Sequence, residues 1–105
     1  MVKTAVTELR LGQKVISTRG RDAGSIFLIV GLLNDDYVLV ADGDKRPVER
    51  PKKKNRKHLS LTLQVDAAVA EKLSAGKPVS NAEIVDAIQR LGENKKEGEV
   101  NLGQR

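Results

Sequence analysis

Ser25-Ile26-Phe27-Leu28-Ile29-Val30-Gly31, Asn34-Asp35-Asp36 and Tyr37-Val38-Leu39-Val40-Ala41-Asp42-Gly43 decide how this 105-residue chain folds. The first and third segments are dense in β-branched and aliphatic residues, which suit a pleated and packed surface. The middle segment is built from residues that hydrogen-bond their own backbone, so it reads as a turn joining two strands. Upstream, Lys14-Val15-Ile16-Ser17 opens another strand. Thr18 to Gly24 is then a polar loop, with Gly20 and Gly24 placed where positive φ or close backbone approach is needed. Downstream, Asp42-Gly43 is the strongest short-range turn signal, and Arg46 to Glu49 is expected to return as a short strand. Pro47 and Pro51 lack a donor, so that segment is expected at a sheet edge or leaving the sheet. Short strands at this spacing, from Leu11 to about Leu61, predict a mainly β fold built on a small, strongly bent barrel.

Ser60-Leu61-Thr62-Leu63-Gln64-Val65 alternates once more, and then the period changes. Asp66 can cap a helix in which Val65, Val69 and Leu73 recur at four-residue spacing, with Gly76 as terminator and Pro78 reinforcing the stop. Ser80-Asn81-Ala82-Glu83 is a capping-box pattern, followed by Ile84, Val85, Ile88 and Leu91 on one helical stripe and Gly92 just beyond. The expected organisation is therefore a barrel over residues 1–64, a two-helix extension over 65–91 and a mobile tail over 92–105. No internal repeat is present.

Charge is the second strong signal. Lys45 to His58 holds eight Lys or Arg against one Glu, a local balance of +7 in a chain whose total is only +5. The positive charge is thus gathered at one place, as expected of a surface that meets a polyanion. The chain is 39% hydrophobic but only 2% aromatic, so its core must be aliphatic. It has no cysteine, which excludes a disulfide framework and a cysteine zinc site. Met1 to Gly12 has no apolar region of the kind a secretory signal carries. The longest apolar run, Ile26 to Leu33, is far short of the roughly 20 residues a membrane span requires. A cytoplasmic location without a membrane partner is expected.

Gly12-Gln13-Lys14-Val15-Ile16-Ser17-Thr18-Arg19-Gly20-Arg21-Asp22-Ala23-Gly24 resembles the start of a KOW motif, in which a glycine opens a strand and a basic loop ends in a fixed glycine, here Gly24. The likeness continues through Phe27-Leu28-Ile29-Val30, Tyr37 to Gly43 and Arg46 to Lys54 into Lys57-His58-Leu59. Over about residues 10–60 the chain is similar to the KOW-domain large-subunit ribosomal proteins of the archaeal and eukaryotic type (protein fourteen), and to the small bacterial KOW-containing RNA-binding proteins related to them. That resemblance implies an SH3-like barrel that binds ribosomal RNA without catalysis. Two positions depart from the motif. Ala23 stands where a basic residue is common, and Ser25-Ile26-Phe27 replaces a frequent second glycine. The two helices lie outside the resemblance.

On this reading the residues expected at RNA are Lys14, Arg19, Arg21, Lys45, Arg46, Arg50, Lys52, Lys53, Lys54, Arg56, Lys57 and His58, with Gly12, Gly20 and Gly24 as the structural glycines of the motif. Arginine suits phosphate because its planar fork donates two hydrogen bonds, whereas lysine acts as a point charge. Arg19 and Arg21 can equally be read as ordinary loop polarity. Single-stranded RNA is usually read by stacking bases on exposed rings. Here only Phe27 and Tyr37 are available, both in apolar strand patterns that suit core packing. Structured RNA, recognised through phosphates and 2′-hydroxyls, fits better.

Catalysis is not expected. One histidine and no cysteine cannot assemble a hydrolytic triad or a two-histidine metal site, and Asp35, Asp36, Asp42 and Asp44 occupy turns. No cofactor or metal is expected. The absence of Trp argues against a proline-rich peptide groove. Residues 66–91 carry a balance of −1, the wrong sign for a helix inserted beside DNA phosphates, so the helices are expected to pack or to contact a protein. The functional expectation is a monomeric, noncatalytic protein bound to large-subunit ribosomal RNA. The alternative is a KOW adaptor with a protein partner in transcription and translation.

Overall fold

The computed structural model describes the backbone of residues 8–103 and the side chains of residues 8–92. The strands are β1 (Gln13–Ser17), β2 (Ile26–Leu32), β3 (Tyr37–Ala41), β4 (Lys52–Asn55) and β5 (Leu59–Val65), followed by α1 (Ala67–Ser74) and α2 (Asn81–Gly103). They form one sheet in the order β4-β3-β2-β1-β5, with antiparallel neighbours throughout. Register shifts in β1 against β5 and in β2 against β3 bend the sheet. The fold is mainly β with two C-terminal helices, as expected, but the barrel is not closed. β4 and β5 are its two edges, joined by a 3-10 turn at Arg56–His58 that Asn55 caps by accepting the Lys57 N–H at 2.9 Å.

β2 explains why the central segment is a continuous apolar run rather than an alternating one, for both of its faces are covered. Phe27 and Ile29 join Val15, Val38, Val40 and Leu59 in one core. Leu28 turns the other way, into a second core with Val69, Val79, Ile84, Ala87 and Leu91, flanked by Val30 and Leu73. The helices therefore cover the outer face of the sheet. Burial of each large aliphatic side chain there contributes about 1.5–3 kcal/mol. Gly12 and Gly43, both at φ +80, mark the contacts: a Cβ on Gly12 would lie 3.0 Å from Ala70 Cβ, and one on Gly43 would lie 2.6 Å from the Asn81 carbonyl oxygen.

The helix ends follow the sequence signals. Asp66 Oδ2 accepts the Val69 N–H at 3.0 Å, and Gly76, at φ +74, closes α1 in a Schellman turn with Lys77 N–H donating to Lys72 O at 2.8 Å. Ser80 and Glu83 form the reciprocal capping box, at 3.1 and 2.8 Å. Glu83 also pairs with Lys72 of α1.

Two expectations are corrected. Arg46 to Glu49 is not a strand. Asp42 Oδ1 accepts the N–H groups of Asp44 and Arg46, and the Val48 N–H donates to Asn81 Oδ1 at 2.7 Å, so the donors a strand would need are engaged in a loop pinned to α2. The strand forms only after Pro51, and it is the lysine run itself. Gly92 does not end α2, which runs to Gly103. A lone glycine costs a helix only about 1 kcal/mol, too little to stop it by itself. Most of the expected mobile tail is therefore backbone of α2; the side chains beyond Gly92 lie outside the described residues, as do residues 1–7 and 104–105.

Candidate nucleic-acid interface

The loop between β1 and β2 is a fixed structure. Gly20 and Gly24 sit at φ +86 and +92, and the Gly24 N–H donates to Ser17 O at 2.7 Å. Ser25 N–H closes a further turn onto Asp22 O at 2.9 Å, and Thr18 N–H ties the loop to His58 O at 2.9 Å. Arg19 and Arg21 project from this frame into solvent.

Asp22 joins the loop to the basic strand. Its Oδ2 lies 3.0 Å from Lys52 Nζ, and its Oδ1 lies 3.3 Å from Lys54 Nζ and 2.7 Å from Ser17 Oγ. Burial would raise the Asp22 pKa, but the Ser17 hydroxyl and the two ammonium groups outweigh it and hold the carboxyl at about 2, down from an ordinary 3.8. Lys54 Nζ also lies 3.3 Å from Arg19 O. Two cationic stretches some thirty residues apart thereby become one surface. Within it a groove of ≈ 290 Å³ is lined by Arg21, Asp22, Ser25, Phe27, Asp42, Lys45, Arg46 and Lys52.

The residues expected at RNA divide by exposure. Arg19, Arg21, Lys45, Arg50, Lys53 and Lys57 are exposed, and Arg46, Lys52, Arg56 and His58 are half-buried. Lys14 is only 1% exposed; it stands opposite Leu28 in the sheet, on the side that faces the helices, and so is withdrawn from the surface. Lys54, 7% exposed, stands opposite Val38 and supports the loop from beneath. Arg56 is drawn to the Asn34–Asp36 turn, donating to Asp35 O at 3.2 Å. Phe27 is core, while the Tyr37 ring is overlain by Lys53 Nζ, 4.6 Å from its centroid.

Sequence reasoning missed Asp22 and Ser17. The single acid inside a basic loop was visible, but its lysine partners come from β4 and only the fold brings them together. On the helices, Ile84, Ala87 and Leu91 face the sheet, Glu83 is engaged by Ser80 and Lys72, and Arg90 by Asp66. Among the described residues no helix is long and apolar enough to cross a membrane, and no cluster of three or more His, Asp or Glu is arranged to hold a metal ion.

No protein-family model matches the chain. It is 38% identical over 71 residues to a protein of Bacillus subtilis (strain 168) named "Putative ribosome-binding protein YbzG"; the match covers 68% of this chain and 96% of the relative. With nearly the whole of that relative aligned at this identity, the chain belongs to the same family as YbzG.

Proposed function

We propose that this protein is a noncatalytic, cytoplasmic RNA-binding protein of KOW type that attaches to the ribosome through phosphates of structured ribosomal RNA in the large subunit. The observation that carries this reading is the union, through Asp22, of the rigid arginine-bearing loop with the lysine strand β4. A hydrogen-bonded backbone with projecting cations suits recognition of a phosphate path, because little loop order remains to be imposed on binding. The shortage of exposed rings supports structured over single-stranded RNA. The name of the relative adds a ribosomal setting. In this reading residues 8–64 meet the RNA and the helices brace the sheet from behind.

The test is sedimentation of cell extract followed by RNA crosslinking. The protein should travel with large subunits or their precursors, crosslink to their RNA, and come off in high salt as an attachment made mainly of phosphate contacts would. Confinement to ribosome-free fractions, with a partner that survives RNase, would overturn the proposal and favour a protein adaptor.

A further inference from the structure

The carboxylate of Asp22 is an anomaly on a surface that is meant to attract a polyanion. By charge alone it should weaken binding. Its contacts suggest another role: with Ser17 and Lys54 it holds the loop backbone that carries Arg19 and Arg21. Ser17 Oγ, on a residue only 1% exposed, lies 2.7 Å from Asp22 Oδ1 and 3.0 Å from Arg19 O, and its one proton serves either acceptor. Lys54 Nζ spans the same two acceptors at 3.3 Å each. The Asp22 side chain therefore stands at the hub between β1, the loop and β4, while its backbone carbonyl accepts from Ser25.

Resting on the RNA-binding reading above, we propose that Asp22 is a positioning residue for RNA: it locks the Thr18–Gly24 loop so that Arg19 and Arg21 meet adjacent phosphates, and it strengthens binding despite its negative charge. The two guanidinium groups are exposed and have the planar fork that matches phosphate oxygens. A loop held before binding presents them without the cost of ordering its backbone at the moment of contact. Lys52, held by Asp22, lines the ≈ 290 Å³ groove together with Arg21.

Charge and positioning predict opposite signs for one substitution. Asp22→Asn in the full chain raises the net charge by one. If Asp22 acts only as a charge, affinity for a structured ribosomal RNA fragment rises and the salt dependence steepens or stays put. If it positions the arginines, affinity falls by about 3–10-fold and the log–log salt slope shrinks by up to about 1.5, as two phosphate contacts are weakened. A merely structural role would lower the folded fraction without changing the slope of the folded protein. Ser17→Ala, which leaves the charge unchanged, should move both quantities in the same direction and replaces Asp22→Asn if that variant does not fold. Hydrogen exchange at the Ala23, Gly24 and Ser25 amides reports the loop independently of RNA, and should quicken in either variant. Unchanged exchange, or loosened exchange with undiminished affinity, overturns the positioning role while the RNA-binding reading stands. Failure of the unaltered protein to bind RNA at all overturns both.

Discussion

Arg90 reaches from α2 to within 2.8 Å of Asp66 Oδ1, while Oδ2 of the same carboxylate accepts the Val69 N–H at 3.0 Å and caps α1. One buried side chain thus starts the first helix and anchors the second. The two halves of this arrangement should differ in worth. The cap satisfies a backbone donor at a buried helix end, a contribution of about 0.5–2 kcal/mol. The ion pair joins Asp66 to a guanidinium side chain that is 56% exposed, where solvent screens most of the attraction. Asp66→Ala should therefore destabilise the protein by about 1–2 kcal/mol in urea unfolding, and Arg90→Ala by clearly less. Equal losses would mean that the helix-to-helix tie, rather than the cap, sets the stability of this corner.

Two positive-φ glycines allow backbone strain to be separated from packing. Gly24, at φ +92, has open space where a Cβ would go, so Gly24→Ala should cost only the left-handed backbone penalty of about 1–2 kcal/mol. Gly43, at φ +80, would place its Cβ 2.6 Å from Asn81 O, and the start of α2 would have to move. The melting temperature should fall by about 4–8 °C per kcal/mol in a domain of this size. Gly43→Ala should fall further than Gly24→Ala. Equal melts would mean that α2 is not seated against this turn.

Neutralising the basic strand as a whole would confuse binding with folding, because Lys54 is buried against Asp22. The exposed cations Lys45, Arg50, Lys53 and Lys57 are the informative set. Replacing all four by Gln should leave the melting temperature within a few degrees. It should flatten the log–log salt dependence of RNA affinity by about 3, at about 0.7–0.9 for each phosphate no longer neutralised. An unaltered slope would remove β4 and its flanks from the interface.

Much of this arrangement was legible in the chain, because local chemistry decided it. Asn34-Asp35-Asp36 formed its turn with Asn34 Oδ1 accepting two backbone N–H groups, and Ser80 with Glu83 formed its capping box. What could not be read depends on partners distant in sequence. Lys14 looks like any strand lysine until the helices are seen to cover its side of the sheet. Arg46 to Glu49 carried a reasonable strand pattern, yet Asn81, more than thirty residues later, takes the Val48 N–H and holds the segment as a loop. The lysines of β4 read as a charged surface, but strand alternation sends Lys52 and Lys54 toward Asp22 and Lys53 over Tyr37.

The Asp22 carboxylate should leave a signature in acid. Its pKa is depressed from 3.8 to about 2 in the folded protein, so the folded state favours the ionised form. A depressed carboxyl contributes stability that is fully present above its unfolded pKa and is lost as pH falls from there through about 2. With its side chain 18% exposed, solvent screening leaves the contribution at about 1–2 kcal/mol. Unfolding of the native protein and of Asp22→Asn should be compared by urea titration between pH 7 and pH 2, since other carboxyl groups act alike in both and cancel in the difference. The native protein should hold a constant advantage above about pH 5 and lose about 1–2 kcal/mol of it by pH 2. A gap that stays constant to pH 2 would show that Lys52 and Lys54 do not hold the carboxylate ionised, and the clasp between loop and strand would then owe its strength to Ser17 and the backbone alone.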